Sequence, residues 1–179
     1  TGWILADSMG AIVAGSAEPE MQALSGRLSG SGDCTVTGLG RTASADVAAL
    51  LNGTAGTFLE MDEGNRFSRG HPAIHAIPAA LALCEQRAGD AQAFLSALVV
   101  GYEVGSRIGA ASRLRASMHP HGTWGTIGAA AACARLAGLD AAGHLLPEAP
   151  PLLDPPAAAG PRAGPPGQPR SPRPQAAAG

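Results

Sequence analysis

The chain holds 179 residues, enough for one domain or for a domain with a tail. Twelve basic against 14 acidic residues leave a formal net charge of −2, which excludes the broad basic surface that nucleic-acid binding needs. Hydrophobic residues reach 45% while aromatics stay at 3%. The core must therefore be built from Ala, Leu, Val and Ile, which favours an all-α fold of closely packed helices over a β-sandwich. Three cysteines, Cys34, Cys84 and Cys133, are too few and odd in number for a disulfide scaffold. All twelve basic residues are Arg, and no lysine is present.

Proline divides the chain. Residues 1–146 carry four, at Pro19, Pro72, Pro78 and Pro120, whereas residues 147–179 carry eleven, with eight Ala and four Gly. We expect a helical body over 1–146. The segment 147–179 cannot bury enough apolar surface to offset its ordering entropy and reads as a disordered or polyproline-like tail. Such a tail also suits a flexible appendage or a ligand for an adaptor domain.

In chain order, residues 3–15 form an apolar run that reads as a helix ending at Gly15. No basic stretch precedes it and Asp7 interrupts it, so it resembles neither a signal peptide nor a membrane span. Thr1 in place of an initiator Met suggests that the sequence begins inside a protein or has lost its N-terminus. Residues 16–41 are rich in Gly and Ser, with an extended stretch at 34–38. Ser44 is placed to cap a helix through about Met61, with Val47, Leu50, Leu51, Phe58 and Leu59 as its apolar face. Residues 62–70 are a polar loop. Pro72 suits the first turn of a helix to about Arg87. Asp90 can cap a long helix over 91–113, with Phe94, Leu95, Leu98, Val99, Tyr102 and Ile108 at helical spacing. A second loop, 114–121, leads into an Ala-rich helix over 123–137 that Gly138 stops. Its small residues, Gly125, Gly128, Ala129 and Ala132, invite a close neighbour. This makes five helices.

His71 and His75 stand four apart on one helical face, a spacing that suits a metal, but the sequence designates no third ligand. No phosphate-cradling glycine loop follows a convincing strand, and no Ser-His-Asp set has a recognisable elbow. Cys84 and Cys133 fall within apolar helices, where inert buried thiols are expected. The two loops carry more chemistry. The first brings Asp62, Glu63, Asn65, Arg66, Arg69 and His71 together, and the second brings Arg113, Arg115, His119 and His121. Both end at helix N-termini, where free N–H groups and the helix dipole favour anions. Carboxylate, Arg and His together suit a substrate with several carboxylates that must gain or lose a proton. The same residues also suit solvated, capping loops.

The segment LEMDEGNRFSRGHPAIHAIPAALAL (residues 59–83) resembles the MmgE/PrpD family, which includes 2-methylcitrate dehydratase and cis-aconitate decarboxylase. DSMGAIVAG (7–15), AALLNG (48–53), GYEVGSRI (101–108) and HPHGTWGTIGAAAACARLAGL (119–139) agree in order and spacing. The resemblance spans roughly residues 3–140. It implies a mostly helical domain joined in the family by a smaller α+β lid, a homodimer, a cytoplasmic location, and no metal or other cofactor. It implies a lyase of the 2-methylcitrate dehydratase kind that adds or removes water by proton transfer next to a carboxylate; decarboxylase and epimerase are alternatives within the family. The partner is then a small di- or tricarboxylate, with neither nucleic acid nor membrane.

Carried over by position, the resemblance marks Asp62, His71 and His119 as catalytic and Asn65, Arg69, His121 and Thr126 as substrate-binding. His119 fits the second-loop histidine better than His121, because its distance to residues 125–128 agrees. Asp62 stands one residue off the family spacing. The similarity fades after Asp140, and the Pro/Ala/Gly/Arg-rich run that follows is what a frameshift in a GC-rich gene would produce. The family continues into a lid and substrate-binding lysines, and this chain has no lysine. An inactive fragment or pseudoenzyme is therefore the second reading, and an interaction module presenting a Pro-rich tail the third.

Overall fold

The computed structural model describes residues 1–140 and Ala142; the segment expected as a tail, 147–179, lies outside the described residues. Six helices and one hairpin succeed one another among them: α1 (Gly2–Ser16), α2 (Pro19–Leu28), β1 (Cys34–Val36), β2 (Arg41–Ala43), α3 (Ala45–Phe58), α4 (Pro72–Gln86), α5 (Ala91–Ala111) and α6 (Trp124–Ala137). The fold is mostly helical, as composition led us to expect. The termini follow local chemistry. Asp90 accepts the Ala93 N–H at 2.8 Å and starts α5. Pro72 occupies the first turn of α4, and Gly138 ends α6 with a left-handed φ of 70°.

Two elements escaped the sequence reading. Helix α2 fell within the stretch read as Gly/Ser-rich. It has Pro at its start, Glu20 in its first turn and Arg27 in its last, but only Met21 and Ser25 are buried. Strand β2 is three residues long and pairs antiparallel with β1 in the register Cys34↔Ala43, Thr35↔Thr42 and Val36↔Arg41. The hairpin is pinned from both sides. Asn52 of α3 accepts from Thr37 N–H at 2.8 Å and donates to Thr35 O at 2.9 Å, while Glu85 of α4 accepts from Thr35 N–H at 2.7 Å.

Helix α4 is the centre. It packs against α1, α3, α5 and α6, and Ala73, Ala76, Ile77 and Ala80 along it are fully buried. The largest fully buried apolar side chains, Ile12, Leu51, Ile77 and Leu98, come from four different helices. Burial of such a side chain contributes about 1.5–3 kcal/mol. Two expected apolar faces are met in part: Leu51 and Leu98 are buried as expected, and Val47, Phe94 and Tyr102 pack against the core. On α3 the buried residues are Ala48, Leu51, Asn52, Ala55 and Gly56, whereas Leu50 and Phe58 are exposed. On α5 they are Ala97, Leu98, Gly101, Gly105 and Gly109, whereas Val99 is exposed. Small residues win these faces because backbones that approach closely leave no room for large ones. A Cβ added at Gly101 would stand 2.8 Å from both the Ala132 side chain and the Gly128 carbonyl of α6.

Candidate active site

The first loop folds around Asn65. Its Oδ1 accepts from Phe67 N–H at 2.9 Å and Ser68 N–H at 3.1 Å. Its backbone pairs with Gly70 and accepts from Arg69 N–H at 2.8 Å. Its Nδ2 donates across to Tyr102 Oη and Ser106 Oγ of α5, each at 3.3 Å. This carries His71 to the start of α4 in a fixed pose. His71 Nδ1–H donates to the Glu63 carbonyl at 2.9 Å and lies 3.3 Å from Asp62 Oδ2.

The second loop runs back over the same place, and four histidines meet. The His121 ring lies 4.5 Å from His119, stacked at 9°, and 4.6 Å from His75, tilted at 59°. It also stacks on His71 at 5.7 Å and 17°. His75 is packed edge-on against Trp124 at 6.2 Å. Gly125 makes this possible, since a Cβ there would overlap the His75 ring. His119, His121 and His75 line an open groove of about 530 Å³ between α3 and α4, with Pro78 beside His75 on α4 and Leu50, Thr54 and Thr57 of α3 opposite.

Burial sets the electrostatics. Asp62 is nearly inaccessible, and desolvation holds its carboxyl above the usual carboxylate range although His71 beside it pulls the other way. The contact geometry alone would suggest a lowered value; burial wins because Asp62 Oδ2 receives no hydrogen bond. Glu63 is raised for the same first cause, partly offset by the Tyr102 hydroxyl. His75 is pushed down to about 4 by burial and then by its three histidine neighbours. His121 is lowered by burial and by His119 and His71. The cluster thus keeps its innermost imidazoles neutral.

Of the residues marked from sequence, the structure brings Asp62, His71, His119 and His121 together. The others point elsewhere. Asn65 spends its side chain on the loop and α5. Arg69 Nη2 donates to the Ser112 carbonyl at the end of α5, at 2.9 Å. Thr126 is exposed and donates to Thr123 O at 2.7 Å. The expectation of an open anion site at the start of α4 also changes, because Glu63 Oε2 already accepts from Ala73 N–H there, at 3.1 Å. Among the described residues no group of three or more His, Cys, Asp and Glu side chains is arranged to hold a metal ion, so the His71–His75 spacing gains no third ligand there. Cys84 is buried and Cys133 half-buried, and burial raises both thiols. His75, Glu63 and Tyr102 were missed as site residues. His75 carried a signal, its place one turn from His71; the link from Glu63 to Tyr102 spans 39 residues and has no local trace.

Among the described residues no helix is long and apolar enough to cross a membrane. No solved structure matches the chain. A cis-aconitate decarboxylase-like protein, oryM, of Aspergillus oryzae is 35% identical over 119 residues, which cover 60% of this chain and 25% of that protein. The chain therefore spans about a quarter of the length of this curated relative. The MmgE/PrpD N-terminal domain matches residues 1–144, and with the helical architecture and the two-loop histidine cluster in place, the chain belongs to the MmgE/PrpD family.

Proposed function

We propose that the chain supplies the helical half of a lyase site for a small di- or tricarboxylate, working by proton transfer next to a carboxylate. The observation that carries this reading is the convergence of His71, His119 and His121 with Asp62 beside a groove. The hydrogen-bond partners give the two outer histidines opposite roles. His71 Nδ1 faces a carbonyl, which only an N–H can satisfy, so the neutral ring keeps the lone pair on Nε2 and suits a base. His119 Nδ1 accepts from His121 N–H at 3.3 Å, so the neutral ring carries its proton on Nε2 and suits a donor towards the leaving oxygen. Asp62, 3.3 Å from the same nitrogen of His71, would steady an imidazolium formed there. Developing enolate charge would need donors supplied from around the groove.

Water removal, as in a 2-methylcitrate dehydratase, is our first assignment; decarboxylation is the alternative that the name of the fungal relative favours. The substrate's further carboxylates would fall to groups other than lysine, which the chain lacks, and other than Arg69 Nη2, which is given to the Ser112 carbonyl. Titrating citrate, then cis-aconitate, into the isotope-labelled chain tests the reading. Saturable shifts of the His119 and His121 ring signals are expected, with acetate far weaker. Equal, non-saturating responses to all three would sink it.

A further inference from the structure

Tyr102 is the chain's only tyrosine, half-buried on α5 and absent from the histidine groove. Its hydroxyl donates to Glu63 Oε1 at 2.7 Å and accepts from Asn65 Nδ2 at 3.3 Å. The other Glu63 oxygen accepts from Ala73 N–H in the first turn of α4. Glu63 is therefore held at both carboxylate oxygens, one by α5 and one by α4, across the loop that carries it. The Glu63 backbone carbonyl is the acceptor for His71 Nδ1–H, at 2.9 Å.

We infer that Glu63 and Tyr102 are positioning residues: the Tyr102–Glu63–Ala73 bridge fixes the Glu63 carbonyl, and that carbonyl holds His71 in its Nδ1–H tautomer with the Nε2 lone pair free. The inference rests on the lyase reading for its catalytic meaning, but the arrangement it describes is independent of turnover. A carbonyl on an unanchored loop could turn away, and the two other acceptors near Nδ1, the Asp62 carbonyl and Asp62 Oδ2, each at 3.3 Å, are the poorer partners. His71 would then exchange between tautomers, and the fraction ready to take a proton at Nε2 would fall. Glu63 also fills the α4 N-terminus with a group of the protein itself, which keeps that end from competing for the substrate's carboxylates.

Imidazole nitrogen shifts of the ¹⁵N-histidine-labelled chain at neutral pH report the tautomer directly, with the His71 signals identified by their loss in His71→Gln. The unaltered chain should show His71 as Nδ1–H. Tyr102→Phe removes one oxygen and keeps the ring, and Glu63→Ala removes both anchors. Each should lower the ratio of Nδ1–H to Nε2–H by about threefold or more, the worth of one ordinary hydrogen bond. Glu63→Gln keeps an acceptor for Ala73 N–H and a donor for Tyr102, and should restore most of the ratio. Ser106→Ala, which removes only the other partner of Asn65 Nδ2, should leave it unchanged. Backbone amide spectra establish that each variant is folded. An Nε2–H tautomer in the unaltered chain overturns the inference. So does an unchanged ratio in folded Tyr102→Phe, and the unaltered chain decides alone if the variants fail to fold. Loss of carboxylate binding with the tautomer intact would sink the lyase reading instead.

Discussion

At the scale of single residues, the two outer histidines differ by what their Nδ1 atoms meet: a carbonyl for His71 and a backbone N–H for His119. A proton-transfer group contributes typically 10²–10⁴-fold to a rate. In a protein that joins this domain to the rest of the family's length, His71→Ala and His119→Ala should each lower kcat by about that factor. Unchanged kinetics would return both to structural capping roles. The domain alone, incubated with 2-methylcitrate or cis-aconitate, should turn over little. Robust activity there would show that no further substrate-holding group is needed. The histidines of the cluster were legible as candidates because each sits inside a short motif. Their partners were not, because a tautomer depends on which carbonyl or N–H a folded loop presents, and no spacing encodes that. Asn65 shows the same limit from the other side: its place in the motif marked it for substrate, while its side chain is spent on Phe67, Ser68 and α5.

At the scale of elements, small residues decide which helices touch. Gly101→Ala should destabilise the domain by about 1–3 kcal/mol, because the added methyl meets Ala132 and the Gly128 carbonyl at 2.8 Å and a packed backbone cannot give way. Gly10→Ala in α1 is the control. That glycine is exposed with open space where a Cβ would go, so the change should stabilise by about 0.5–1 kcal/mol through helix propensity. Denaturant unfolding of the pair should move the midpoints in opposite directions; a shift of the same sign in both would remove close packing as the cause. Helix boundaries were readable where local chemistry marks them, as at Pro72, Asp90 and Gly138, and Ser44 stands at the start of α3 with its hydroxyl given to Asp46 rather than to a cap. The buried faces were readable only in part, at Leu51 and Leu98. Large apolar residues such as Leu50, Phe58 and Val99 drew the reading, whereas the α5 face is a glycine row at i, i+4 and i+8 that carries no hydrophobic signal. Helix α2 did carry a short signal, Met21, Leu24 and Leu28 at helical spacing, but it lay within a stretch read as Gly/Ser-rich.

At the scale of the whole molecule, the histidine cluster ties stability to pH. His75 faces His121 and Trp124 across the α4–α6 contact, with His71 and His119 the other titratable groups acting on it. In the unfolded chain it would take a proton near 6.5; in the folded protein it does so only near about 4. Between those values the unfolded chain binds more protons, so acid draws the equilibrium towards unfolding. The stability this group allows is fully present above about 6.5 and is lost progressively as pH falls to about 4. His121, also lowered, acts in the same direction. Asp62 and Glu63, both raised, act in the opposite one, since their folded forms hold a proton more readily than the unfolded chain. His75 has the largest displacement of these four and lies nearest the packed interior, so its sign should prevail. The expected result is a Tm that drops by roughly 5 °C between neutral pH and the low end of that window. His75→Gln, which cannot titrate there, should flatten the curve and narrow the gap to the unaltered chain as pH falls. Parallel curves for the two proteins would show that the buried imidazole does not govern the acid limit, and that His121 or groups outside the cluster do.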